Sequence, residues 1–133
     1  MQNNTFVLDV NIWLSLFFRD QYKDFFLLAV GSIFYRSEAM TQELSKKIVH
    51  PKISKRLISK SDVYIHFYED ITTLFNPIPI FTDCPDPDDN YLFDLAIQSQ
   101  ADYLVTGDKT VLDTPINPPT KIITFAEFRE MFV

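Results

Sequence analysis

The apolar positions of this chain fall into two patterns, short continuous runs and longer stretches with helical spacing. The short runs predict β-strands at 6–8, 32–35, 78–82, 103–106 and 121–125. Among the longer stretches, Met40, Leu44 and Ile48 recur every four residues and predict a helix that ends before Pro51. Strands that alternate with helices predict an α/β fold with an open, mainly parallel sheet that is covered on both faces.

Polar and helix-breaking residues set the bounds of the other helices. Asn11 and Ser61 are the expected N-cap residues of two of them, and Gly31 is expected to follow the end of a third. These helices are predicted at 11–18, 22–30, 61–76, 89–99 and 126–132. Prolines between 84 and 89 predict a loop before the helix at 89–99.

Composition indicates one folded core. The chain is 47% hydrophobic and 15% aromatic, which is too apolar for extensive disorder. Its 133 residues are too few for two ordinary domains. We therefore expect a single domain over residues 1–133. A single cysteine, an N-terminus without basic residues and the lack of an apolar run long enough to span a bilayer predict a cytoplasmic protein without membrane association.

Aspartates follow three of the predicted strands. Asp9 comes after the first strand, an acidic loop at 83–89 after the third, and Asp108 after the fourth. The carboxyl ends of parallel strands lie along one edge of a sheet, so these side chains are expected to converge. Clustered carboxylates repel one another unless a proton or a cation lies between them. Because oxygen ligands without histidine or thiol favour hard cations, the expected metal is Mg²⁺ or Mn²⁺.

Charge is divided along the chain. The formal net charge is -6, which alone argues against a protein coated by nucleic acid. Half of the twelve basic residues nevertheless lie within fifteen positions, and these are the candidates for binding a phosphate backbone: Lys46, Lys47, Lys52, Lys55, Arg56 and Lys60. A solvated helix face and loop is an equally good interpretation of this segment.

Four sequence motifs together resemble the PIN-domain nuclease family. They are Asp9-Val10-Asn11, Glu43 on an early helix, the 86–92 segment with its DPDDN run, and Val105-Thr106-Gly107-Asp108. The resemblance covers nearly the whole chain and is strongest to stand-alone PIN proteins that are toxins of bacterial type II toxin-antitoxin modules. It implies a three-layer α/β/α sandwich with a sheet of about five strands.

The resemblance also implies roles for particular residues. Asp9, Glu43, Asp89 and Asp108 match the acids that hold divalent metal and act in catalysis in that family, and Asn11 and Thr106 match its supporting polar positions. Asp86 or Asp88 remains an alternative to Asp89. The implied partners are an RNA substrate, a cognate antitoxin protein and a second copy of the chain in a homodimer.

Structural interpretations of the same residues stay open. Asp9 and Asp108 also fit turn or capping positions, and Glu43 also fits a helical ion pair with Lys47. Tyr64 and Tyr68 are candidates either for base stacking or for the core. Trp13 fits either the core or an interface anchor, and a homodimer or antitoxin interface would account for exposure of Trp13, Phe17 or Phe18.

Three functions compete at this level. The first is a metal-dependent endoribonuclease that acts as a toxin. The second is a non-catalytic acidic α/β module that binds metal or a partner protein. The third, an aspartate-nucleophile phosphatase, is disfavoured because Asn11 stands where such an enzyme needs a second aspartate.

Overall fold

One parallel sheet forms the centre of the protein. The computed structural model describes residues 4–19 and 21–132. Its strands are β1 (Thr5–Leu8), β2 (Ile33–Arg36), β3 (Thr72–Leu74), β4 (Tyr103–Val105) and β5 (Lys121–Ile123). They are ordered β3-β2-β1-β4-β5, and every pairing is parallel. The predicted α/β class and five-stranded parallel sheet are confirmed.

Helices connect and cover these strands. Within the described residues they are α1 (Val10–Phe17), α2 (Tyr22–Leu28), α3 (Glu38–Ile48), α4 (Pro51–Ser54), α5 (Ser61–Ile71), α6 (Asn90–Gln98), α7 (Lys109–Leu112) and α8 (Phe125–Glu130). A single 3₁₀ turn, Pro87–Asp89, leads into α6. The arrangement is the α/β/α sandwich that the sequence predicts.

An aromatic cluster surrounds the central strand. The Phe6 ring of β1 stacks on Phe34 of β2 at 5.4 Å and on Tyr103 of β4 at 5.6 Å, and Phe128 of α8 meets it edge-on. Stacked and edge-on rings add to the stabilisation that burial already gives. Because β1 is held on both sides, its carboxyl end is a rigid place for Asp9.

The aromatic residues considered for surface roles are mostly in the core. Trp13 is fully buried between Phe26 and Tyr68, and Tyr64 is fully buried as well. Tyr64 and Tyr68 are therefore unavailable for stacking on RNA bases.

The interface expectation fails for two of its three residues. Trp13 and Phe17 are buried and cannot anchor a partner. Phe18 is half-buried, with the Arg56 guanidinium 3.8 Å from its ring centroid.

The predicted strand at 78–82 is wrong. The segment is irregular, and Ile78 and Ile80 are exposed. Pro77 and Pro79 have no N–H to contribute to a ladder, which excludes a central strand. The N–H groups of Ile80 and Phe81 instead donate to the Asp94 carboxylate. The acidic loop therefore does not follow a strand.

Some helix bounds also differ from prediction. The helix predicted at 61–76 ends at Ile71, and β3 begins at Thr72 because the next residues pair with β2. Lys60 rather than Ser61 occupies the N-cap position of α5. Asn11 lies inside α1 and is exposed, whereas Asp9 holds the N-cap position.

Candidate active site

Two aspartates lie at the carboxyl ends of neighbouring strands. Leu8 of β1 is paired with Val105 of β4, and the Asp9 N–H donates to the Val105 carbonyl at 2.9 Å. Asp108 follows β4 after Thr106 and Gly107. Because β2 and β4 lie on opposite sides of β1, the chain connections diverge at this edge of the sheet and leave a crevice. Parallel α/β sheets bind ligands in such crevices.

Thr106 joins the two aspartates. Its side chain is buried, and its hydroxyl donates to Asp9 Oδ2 at 2.8 Å. The Thr106 hydroxyl oxygen also accepts the Asp108 N–H at 3.1 Å. One threonine therefore orients the Asp9 carboxylate and fixes the backbone that carries Asp108.

Helix α3 brings Glu43 to the site. Ser37 caps this helix by accepting the Met40 N–H, and Met40, Leu44 and Ile48 form its buried stripe. Glu43 stands at the edge of that stripe, where its Oε2 accepts the Tyr91 hydroxyl at 2.8 Å. Burial, followed by the charge of Glu43, raises the pKa of Tyr91. Tyr91 thus keeps its proton and remains a donor.

Lys47 and Asn11 lie at the rim of the candidate active site, beside Glu43. The Lys47 ammonium is 4.0 Å from Glu43 Oε1 and 3.4 Å from Asn11 Oδ1. The predicted helical ion pair is present, but at this separation and exposure it contributes little to stability. It does not exclude a second role for Glu43.

The acidic loop contributes Asp89. The Asp86 side chain accepts the Asp88 N–H and begins the 3₁₀ turn, and both residues are exposed. Asp89 is half-buried at the start of α6. Burial raises its pKa to about 6, and the charges of Asp9, Asp86, Asp108 and Glu43 act in the same direction. The charge of Asp89 is therefore coupled to the charges of these acids.

The pKa values of Asp9 and Asp108 are shifted as well. Burial raises the pKa of Asp9, hydrogen bonding from Thr106 lowers it, and the charge of Glu43 raises it again. Hydrogen bonds from the Thr110 hydroxyl and N–H lower the pKa of Asp108, and a hydrogen bond with the Asp89 side chain adds to this.

The chain matches a known family model over most of its length. A model described as PIN domain matches residues 5–110. The protein belongs to the PIN-domain family. That family consists of nuclease-type hydrolases that act on nucleic acid, and PIN nucleases generally use divalent metals.

A relative of this PIN domain is found in an archaeon. An uncharacterized protein of Methanocaldococcus jannaschii is 29% identical over 80 residues, which are 59% of this chain and 51% of that protein. The chain thus spans about half the length of the curated relative that it matches.

The acids of this PIN domain fit a hard divalent cation by donor type and by charge. They offer oxygen ligands, and their mutual repulsion, which contributes to the raised pKa of Asp89, is one that a cation would relieve. Within residues 4–19 and 21–132, however, no three His, Cys, Asp or Glu side chains are close enough to hold a metal ion as they stand. Side-chain rotation would be needed to complete a coordination sphere.

The predicted backbone-binding residues are exposed except for Lys47. Lys46 and Lys47 lie on α3, Lys52 lies on α4, and the remaining three lie between α4 and α5. Among these six described residues, Lys47 is the one that contacts an acid of the site, Glu43. Among the helices that the structure describes, none is long and apolar enough to cross a membrane.

Tyr91 is the residue that the sequence motifs did not reveal. It lies two positions after Asp89, in the first turn of α6, but its partner Glu43 is 48 residues away. Only the packing of α3 against α6 brings the two side chains together. A tyrosine beside the acidic loop was the one available signal.

Proposed function

We propose that this PIN domain is a metal-dependent endoribonuclease in which Asp9, Glu43, Asp89 and Asp108 hold Mg²⁺ or Mn²⁺. The observation that carries the proposal is the placement of Asp9 and Asp108 at the ends of neighbouring parallel strands, joined by the Thr106 hydroxyl. The pKa of Asp89 is raised to about 6 by burial and by the charges of its acidic neighbours. Such repulsion is a cost to the fold, and a bound cation would remove it.

The residues of the proposed site have different roles in hydrolysis. Asp9, Glu43, Asp89 and Asp108 would hold a divalent cation, which would supply an activated water and neutralise charge on the leaving oxygen. Thr106 holds the Asp9 carboxylate in one orientation, and Tyr91 does the same for Glu43. Lys47 and Asn11 at the rim are placed to contact a phosphate, and the exposed lysines beyond them attract the rest of the backbone.

We further propose that the protein is the toxin of a type II toxin-antitoxin module and acts in the cytoplasm. The support is the resemblance of its DPDDN and TGD motifs to those of stand-alone PIN toxins. The expected partners are a cognate antitoxin and a second copy of the chain. Co-purification of a protein encoded by an adjacent small reading frame, with loss of ribonuclease activity in the complex, tests this part.

An RNA cleavage assay tests the enzymatic part. The purified chain should cleave single-stranded RNA with Mn²⁺ or Mg²⁺, EDTA should stop the reaction, and Asp9→Asn should lower the rate at least about a thousandfold. Asp113→Asn is the matched control because Asp113 is exposed at the end of α7. Equal rates for wild type and Asp9→Asn would reject the proposal.

A non-catalytic metal-binding or partner-binding module is the second candidate. It is favoured by the lack of three ligand side chains within coordination distance in the described part of the chain. Metal binding without cleavage of any RNA would support this candidate over the first.

A further inference from the structure

A cavity adjoins the proposed active site through Tyr91. Its volume is about 250 Å³, and its lining includes Ala39, Asn76, Pro77, Pro79, Tyr91 and Asp94. Tyr91 belongs to both places because its hydroxyl donates to Glu43. Ala39, Asn76 and Pro79 are exposed, so the cavity is reached from solvent.

The walls of this cavity suit a flat ring. Tyr91 contributes an aromatic ring, on which unpaired RNA bases stack in single-strand binding proteins, and Pro77 and Pro79 add apolar surface. The volume is below the range of about 300 to 1,000 Å³ found for drug-sized ligands. It therefore suits one ring system and not a whole nucleotide.

Asp94 gives the cavity a directional polar group. The residue is only 3% exposed. Its Oδ1 accepts the N–H groups of Ile80 and Phe81 and the side-chain amide of Gln98. No hydrogen bond from the described part of the chain reaches Oδ2. A carboxylate oxygen that accepts no hydrogen bond from the protein can accept an N–H from a ligand.

We propose that this cavity is a subsite for one unpaired RNA base beside the cleaved phosphodiester, with a preference for bases that carry an amino group. The inference deepens the proposed ribonuclease function and rests on it for the identity of the substrate. Adenine, cytosine and guanine have an exocyclic amino group that can donate to Asp94, whereas uracil presents a carbonyl oxygen in its place. Binding there would bring the adjoining phosphate to Glu43 and its acidic neighbours.

Neutral nucleosides test the subsite without metal and without cleavage. Adenosine, cytidine, guanosine and uridine are titrated into the full chain, and the Ala39 methyl signal is followed by NMR. Saturable shifts are expected for the three amino-bearing nucleosides, with uridine binding at least about threefold more weakly. The lack of a saturable shift with any nucleoside would overturn the subsite.

Two variants separate this site from unspecific binding. Ala39→Leu should fill the cavity and abolish the shifts of neighbouring signals, whereas Ala126→Leu, at an exposed position of α8, should not. Asp94→Asn keeps an acceptor for Ile80 and Phe81 but replaces the second oxygen with a donor, so uridine should no longer bind more weakly. Unchanged nucleoside affinity in Ala39→Leu would refute the assignment.

The outcomes also distinguish this proposal from the proposed function. RNA cleavage without nucleoside binding would overturn the subsite alone. Nucleoside binding without RNA cleavage would support the subsite and reject the nuclease. Binding of phenol or indole with no response to nucleosides would identify an aromatic side chain of a protein partner as the occupant and overturn the base subsite.

Discussion

At the scale of single residues, Thr106 connects the two strand-end aspartates. Thr106→Val keeps the volume of the side chain but removes the donor to Asp9 and the acceptor for the Asp108 N–H. We expect RNA cleavage to fall about tenfold to a hundredfold, the usual effect of losing a residue that orients a ligand. Thr106→Ser should retain most of the activity. A Thr106→Val protein as active as wild type would contradict this role.

Tyr91 is expected to act through Glu43. Tyr91→Phe leaves Glu43 Oε2 without its donor, so the carboxylate becomes free to rotate. Mn²⁺ affinity, measured by calorimetry, should fall about tenfold while the unfolding temperature stays nearly constant. Tyr35→Phe, at another half-buried tyrosine, is the matched control and should leave the affinity unchanged. Equal affinities in both variants would show that Tyr91 only fills space.

Asp89 should make the metal-free protein sensitive to pH. Its pKa is raised from 3.8 to about 6, so between these values the folded state binds a proton that the unfolded state has released. The free energy of unfolding should therefore fall as pH rises through this window, and the loss should be complete above about pH 6. Above the window, ionised Asp89 destabilises the fold.

Removing that charge should stabilise the protein. In EDTA at about pH 7.5, Asp89→Asn should raise the free energy of unfolding by about 1 kcal/mol, a value reduced for solvent screening because Asp89 is only half-buried. The gain should vanish near pH 4. Asp113→Asn makes the same charge change at an exposed position and should show no such dependence. Urea titrations of the three proteins across this range provide the measurement.

The sequence could identify the site residues only in part. Asp9 and Asp108 were predictable because a strand end is a local property of the sequence, and in the structure they follow the neighbouring strands β1 and β4. Thr106 was also predicted as a supporting residue, and it contacts both aspartates. The Tyr91 contact was not predictable, since nothing in the local pattern specifies which side chain of α6 faces Glu43.

At the scale of elements, the segment 76–82 shows how side chains can substitute for a neighbouring strand. Gln98 accepts the Ile78 N–H at 2.8 Å and donates to the Ile78 carbonyl at 2.7 Å, as a strand partner would. Asp94 binds the next two available N–H groups. The alternation of isoleucine and proline predicted a strand, but prolines left too few donors to join the sheet.

Gln98→Ala is therefore expected to free this segment. Two backbone groups of Ile78 lose their partners, so the variant should unfold with about 1 to 2 kcal/mol less free energy. Hydrogen exchange at the Ile78 amide should become faster, while exchange in β1 stays slow. Gln42→Ala, at an exposed position of α3, is the control. Unchanged protection of Ile78 would mean that the glutamine does not hold the segment.

At the scale of the whole molecule, the fold was predictable because several separate segments indicate the same alternation of strands and helices. Runs of apolar residues at β1, β2, β4 and β5 and the four-residue spacing in α3 all agree with one alternating α/β pattern. The edge strand β3 was missed because its last residue, Leu74, continues the apolar spacing of α5, and only pairing with β2 ends that helix. The local pattern thus did not specify where α5 ends, and the long-range pairing of β3 with β2 sets that boundary.

The central claim of this account is that Asp9, Glu43, Asp89 and Asp108 act together as a cation site. Calorimetric titration of Mn²⁺ into wild type, Asp9→Asn and Asp113→Asn tests it most directly. Saturable binding is predicted for wild type and Asp113→Asn, with affinity at least about tenfold weaker in Asp9→Asn. Equal Mn²⁺ affinity in all three proteins, or no binding to wild type, would contradict it.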